Sequence, residues 1–149
     1  MKKYIFVILL IVSLLSCCNG RGTSTISKEN IEKKDTVITY DLEDISSEGT
    51  EVVARYVKNK ITFCEISICG ETGQAKLVYE FSNNQIKVTE KDYNYQVPFV
   101  EVTEKDIKLV KDFSYTMDLN GVPIGKADSD RIDIFQEIKQ NIPFILQER

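Results

Sequence analysis

The sequence predicts a mainly β fold: an antiparallel meander of hairpins, forming an open sheet or a small sandwich or barrel, with one C-terminal helix packed on it. An α+β arrangement is the alternative. Three observations carry this expectation. From Thr36 onward apolar and polar residues alternate with a period of two, the strand period. Short turns bearing Asn or Gly separate the alternating runs. The last apolar residues, Ile132, Phe135, Ile138 and Ile142, then change to the spacing of one helix face.

The elements follow in order. Thr36-Val37-Ile38-Thr39-Tyr40 is β-branched and aromatic, and 42–49 is an acidic, irregular loop. Val52, Ala54 and Tyr56 alternate with Val53, Arg55 and Val57 before a turn at Asn59-Lys60. A second run covers Ile61 to Ile68 and ends at the Gly-bounded turn Cys69-Gly70-Glu71-Thr72-Gly73. Ala75, Leu77, Tyr79 and Phe81 form one face of the next strand, and Ser82-Asn83-Asn84-Gln85 turns the chain. Ile86 and Val88 start the return, Glu90-Lys91-Asp92 reads as a polar turn, and Tyr93 to Val97 alternates again. Ile107, Leu109, Phe113, Tyr115, Met117 and Leu119 share one parity, broken only by Lys111. Asn120-Gly121 is a strong hairpin signal, and Pro123 in the return strand places that strand at an edge because proline cannot donate to a ladder. Asp128, Ser129 or Asp130 can cap the final helix, and Pro143 ends it. Three hairpins repeat a loose pattern, with an aromatic before the turn and an aliphatic after it, at irregular spacing.

Composition narrows the chemistry. The chain has 149 residues, 19 Lys+Arg, 23 Asp+Glu and no His, for a formal charge of −4. Without histidine there is no imidazole base and no Ser-His or Cys-His nucleophile. An acidic chain without a basic stripe argues against nucleic acid as a partner. No phosphate loop or nucleophile elbow is present. Neither a catalytic residue nor a cofactor or metal is assigned, and the expected role is non-enzymatic.

The N-terminus reads as an export signal. Lys2-Lys3 precede an unbroken apolar run from Tyr4 to Val12, too short for a membrane span of about 20 residues. Leu14-Leu15-Ser16-Cys17 then resembles the lipobox of bacterial lipoproteins. The resemblance implies cleavage before Cys17 and a diacylglycerol on its thiol, which anchors the protein to a membrane. The expected organisation is a signal peptide over 1–16, a lipidated tether over 17–35 and one β-rich domain over 36–149. Cys18-Asn19-Gly20-Arg21-Gly22 lacks the acidic residues that follow the lipidated Cys in surface-exported relatives, which points to the periplasmic side of the outer membrane.

Gly70-Glu71-Thr72-Gly73, Tyr79-Glu80-Phe81, Asn83-Asn84 and Tyr93-Asn94-Tyr95 resemble the hairpins of a group of secreted and lipid-anchored bacterial proteins. That group has no assigned activity, so the likeness carries no site across. Its members often have Gly-Lys where this chain has Asn84-Gln85.

Three further features bear on function. Cys64 and Cys69 either form a disulfide or remain buried thiols. Five positions of straight strand span about 16 Å, against about 7 Å between bridged Cα atoms, and opposite parity sets the two on opposite faces. A bridge therefore requires a bulge or a chain reversal between them. Tyr93 and Tyr95 share a face flanked by Asn94 and Gln96, the residue types of a protein or glycan contact surface, or alternatively they cover the core. Asp128-Ser129-Asp130-Arg131-Ile132-Asp133 has the look of a calcium loop but lacks its Gly and distal Glu, and helix capping explains its acids more simply. The expected partners are the membrane, through lipid on Cys17, and another envelope protein or a glycan. The alternative is an inhibitor or immunity protein against a lysozyme, protease or toxin, for which an acidic surface speeds docking onto a basic enzyme.

Overall fold

The computed structural model describes residues 35–43 and 45–147. The signal, the lipobox and most of the tether lie outside them. Strands β1 (Thr36–Asp41), β2 (Thr50–Val57), β3 (Lys60–Cys69), β4 (Gly73–Phe81), β5 (Ile86–Tyr95), β6 (Ile107–Met117) and β7 (Pro123–Ile124) are followed by helix α1 (Phe135–Asn141). The seven strands form one sheet in the order β1-β2-β3-β4-β5-β6-β7, with every neighbour antiparallel. The predicted meander is therefore an open sheet.

The turns follow from their residues. Lys58 and Asn59 both have positive φ, 50° and 64°, which is the two-residue turn whose twist matches a hairpin. Asp118 shapes the β6–β7 turn: its Oδ1 accepts from Asn120 N at 2.8 Å and Val122 N at 2.9 Å. These backbone donors, Val122 first, hold the Asp118 carboxyl below its ordinary range. Pro123 sits in the two-residue edge strand, as its missing N–H requires.

One face of the sheet is buried. Val52, Ala54 and Tyr56 of β2, Cys64 and Ile66 of β3, Leu77 and Tyr79 of β4, Ile86 and Val88 of β5, and Tyr115 and Met117 of β6 pack with Phe135, Ile138 and Ile142. Helix α1 has only seven residues, too few to persist alone, so docking holds it. Phe135 stacks on Tyr79 at 6.1 Å between centroids. Phe144 packs edge-on against Phe81 at 5.2 Å. The tail is tied to the first hairpin: Ile61 N donates to Phe144 O at 3.0 Å, Leu146 N to Asn59 O at 2.8 Å, and Tyr56 OH to Pro143 O at 2.9 Å. The opposite face carries cross-strand pairs, Glu65–Lys76 at 2.7 Å, Glu80–Lys87 at 3.3 Å and Lys91–Asp112 at 3.4 Å, with Arg55 over the Phe63 ring.

The structure differs from the sequence reading in three places. Glu90-Lys91-Asp92 is not a turn but the middle of β5, with Glu90 fully buried. The parity of β6 is not preserved, because Lys111 pairs with Asp92 while Leu109 pairs with Tyr93, so Val110 is a bulge residue. The bulge moves Ile107 and Leu109 to the outer face and brings Lys111 to the core side. The helix starts at Phe135, not at Ile132, and Ile134 at its N-cap position makes no side-chain capping bond. Asp128 instead accepts from Asp130 N at 3.0 Å in a local turn.

Gly121 is bound to this packing. Its φ is +91°, and a Cβ there would collide with the Phe135 ring. Gly121→Ala is therefore expected to cost about 1–3 kcal/mol through backbone strain and displacement of the ring. Urea unfolding checks this, and an unchanged midpoint would contradict it.

Candidate functional site

The sequence-predicted contact residues Tyr93 and Tyr95 lie near the end of β5. Register fixes their face. Tyr93 is opposite Gln74 on one side and Leu109 on the other, while Asp92 and Glu90 align with Ala75, Leu77 and the core. Both tyrosines therefore lie on the outer face and do not cover the core. Each is half-buried. Tyr95 packs against Phe99 at 5.8 Å between centroids, and its backbone N–H donates to Thr72 O at 3.0 Å. Gly73 permits the close approach of β4 and β5, since a Cβ there would collide with the Tyr93 carbonyl oxygen. The β6 bulge adds Leu109 and Val110, 46% and 51% exposed, and Val100 beside Phe99 is 88% exposed. Aromatics, exposed aliphatics and the amides of Gln74, Asn94 and Gln96 thus share one end of the sheet. Apolar surface with a polar border is the composition of a contact surface. The tyrosines were legible in the sequence. Leu109 and Val110 were not, because a bulge has no local signature here.

A second cluster lies on the core side of the same strands. Glu90 is 0% exposed. Its Oε2 accepts from Ile132 N at 2.9 Å, and Oε1 lies 3.7 Å from Lys111 Nζ, beyond hydrogen-bond reach. Lys111 Nζ also donates to Asp130 O at 2.8 Å, lies 3.6 Å from Asp128 Oδ2 and stands over the Phe113 ring at 4.5 Å. The ammonium thus supplies positive charge to the 128–130 turn. Among the described residues no group of three or more acidic or thiol side chains is placed to hold a metal. Burial raises the Glu90 carboxyl above its ordinary value, and nearby Asp92 adds to this, while the Ile132 N–H and Lys111 oppose it. A buried acid of this kind suggests chemistry in a cleft. Glu90 is sealed, however, and its contacts strap 128–134 to the sheet.

That assignment has a pH signature. With its folded value raised, Glu90 holds a proton in the folded chain that the unfolded chain has released. Its contribution to stability therefore falls as pH rises from the ordinary 4.5 through the raised folded value. Glu90→Gln removes this term and keeps an acceptor for Ile132. The variant is expected to gain on the native protein as pH rises above about 4.5 in paired urea titrations. A difference that is flat or of opposite sign would refute the strap.

The cysteines divide by face, as parity requires. Cys64 lies opposite Ala54 and Tyr79 in the core, is free, and burial pushes its thiol up to about 12. β3 runs through Cys69 without a bulge or reversal after Cys64, so no Cys64–Cys69 disulfide forms. Cys69 is disulfide-bonded. Its backbone carbonyl accepts from Ser46 Oγ, and its N–H donates to Gly49 O at 3.1 Å. Cys17 lies outside the described residues.

No protein-family model, curated protein or solved structure matches the chain. Its function is therefore argued from its own residues.

Proposed function

We propose that the chain is a lipoprotein of a bacterial cell envelope, held at a membrane by lipid on Cys17 and carrying a non-catalytic binding domain. The observation that carries this reading is the order Lys2-Lys3, apolar Tyr4 to Val12, then Leu14-Leu15-Ser16-Cys17. The periplasmic side of the outer membrane is the favoured location, since the residues after Cys17 carry no acid before Glu29. Tyr93, Tyr95, Phe99 and Leu109 supply the contact surface for another envelope protein or a glycan. A large ring in such a surface buries much area at little conformational cost.

A photo-crosslinking amino acid at position 93 or 95 of the full chain tests the binding role in intact cells. A discrete adduct is expected there and not at position 87, which shares the outer face further along β5. The double substitution Tyr93→Ser, Tyr95→Ser should abolish an adduct formed from a probe at 109. It should cost stability only about 1 kcal/mol per site, the scale of cross-strand pairs. No adduct at 93 or 95, or equal adducts at 87, would contradict the assignment.

The acidic balance of the chain favours a second reading, an inhibitor or immunity protein for a basic lysozyme, protease or toxin. That reading requires inhibition of such an enzyme at stoichiometric amounts.

A further inference from the structure

We infer that two copies of this chain pair edge to edge through β1, antiparallel about Thr39, and so join their sheets into one. The contrast between the two edges of the sheet points to this. An unpaired strand edge is a template for another chain, and proteins block it with proline, bulges, inward charges or short strands. The β6–β7 edge carries all of these: the Val110 bulge, Lys111 turned to the core side, Pro123, and a last strand of two residues. β1 carries none of them. Thr36-Val37-Ile38-Thr39-Tyr40 is β-branched or aromatic throughout, and its register with β2 is unbroken to Asp41. Among the described residues no strand pairs with the outer side of β1.

The phase of the ladder fixes which groups that edge offers. Leu42 N donates to Thr50 O at 2.9 Å, so the even-numbered residues of β1 direct their N–H and C=O to β2. Val37, Thr39 and Asp41 direct theirs away from the sheet. Their side chains are exposed on the outer face, Val37 by 60%. Ile38 and Tyr40 are half-buried and pack on the core. A neighbour that continues both faces must oppose residues of equal parity. For two antiparallel copies, two such registers overlap nearly the whole strand. Centring on Ile38 sets Asp35 against Asp41, like charges directly opposite. Centring on Thr39 sets Thr39 against Thr39, Val37 against Asp41 and Ile38 against Tyr40, all compatible cross-strand pairs. That register bonds the outward backbone groups of 37, 39 and 41 reciprocally.

Charge favours a second copy as the occupant. Within one copy Asp41 lies opposite Glu51, and both are exposed, an unfavourable like-charge pair at one end of the outer face. Val37 lies opposite Arg55 at the other end. The two-fold register brings these ends together, so that each rung reads Glu51, Asp41, then Val37 and Arg55 of the second copy. Asp41 and that Arg55 are then two strand spacings, about 10 Å, apart, which is close to the screening length at physiological salt. Arg55 stands over the Phe63 ring, so it offsets the acids as a nearby charge and not as a salt-bridge partner. Pairing at β1 leaves the surface at Tyr93 and Tyr95 uncovered, because β5 lies on the far side of β2, β3 and β4. The pair presents that surface twice, and a repetitive ligand gains avidity from it.

Co-purification of two differently tagged full-length copies tests this. They are co-expressed, extracted in detergent and recovered through one C-terminal tag. Native copies are expected to be recovered together. Thr39→Glu paired with itself, or Thr39→Lys paired with itself, sets like charges on the two-fold axis, and recovery of the second copy should fall about fivefold or more. Thr39→Glu paired with Thr39→Lys should restore the native level, because opposite charges then face each other. Position 39 is exposed, so each variant should keep the native thermal midpoint, and restoration by mixing separates a lost contact from a lost fold. Native copies that are not recovered together overturn the inference, whether the edge stays bare or holds a strand of another protein. Equal recovery in every combination overturns it too, as does a Glu–Lys mixture that stays as low as either variant alone.

Discussion

Phe135→Ala is expected to lower stability by about 3–5 kcal/mol, the scale of removing a large aromatic from a packed core. The side chain is 2% exposed and touches three parts of the fold at once. It stacks on Tyr79 of the central strand β4, meets Phe144 at 6.0 Å between centroids, and lies against Gly121 in the β6–β7 turn. Its loss leaves a cavity beneath a seven-residue helix that has little stability of its own. The C-terminal strap should therefore open first. Hydrogen exchange at Ile138 and Ile142, whose N–H groups donate to Ile134 O and Ile138 O at 3.1 and 2.8 Å, should accelerate more than exchange in β3 and β4. Coupling gives a sharper check. Gly121→Ala should cost less in the Phe135→Ala background, because the ring with which the new methyl collides is gone. Additive losses would contradict the contact, and a loss below about 1 kcal/mol for Phe135→Ala would contradict the helix as a core element.

Much of this fold is legible in the sequence because its strands are short-range and its turns are chemically marked. A meander needs no long crossover, so local alternation and the turns at Asn59, Ser82–Gln85 and Gly121 suffice to order the strands. Parity alone separates Cys64 from Cys69. What was not legible is what a neighbour imposes. Glu90 and Asp92 look like a turn because charges on a core-facing parity normally end a strand. They remain in β5 because Lys111 arrives from β6 and Ile132 N donates from the strap. Ile132, ahead of the helix, donates its N–H to the Glu90 carboxylate 42 residues away. The Val110 bulge, which turns Leu109 toward Tyr93, is set by pairing with β5. The proposed contact surface is half legible for the same reason. Its tyrosines alternate visibly, but the aliphatic side depends on register.

On the proposed lipoprotein reading, Cys17→Ser is expected to release the protein from the membrane. Each buried methylene contributes about 0.8 kcal/mol, and one acyl chain alone binds with a constant on the order of 10⁴ M⁻¹. A second or third chain raises that constant enough to make attachment persistent. Among the described residues no helix is long and apolar enough to cross a membrane. A serine hydroxyl at position 17 cannot form the thioether.

The most direct measurement is incorporation of labelled palmitate in growing cells, read together with the partition of native protein and Cys17→Ser between membrane and soluble fractions. The account predicts a labelled, membrane-bound native chain whose N-terminal residue is a modified Cys17. It predicts no label in the serine variant, together with altered partition. A native chain that takes up no palmitate, or a serine variant that partitions like the native protein, would contradict it.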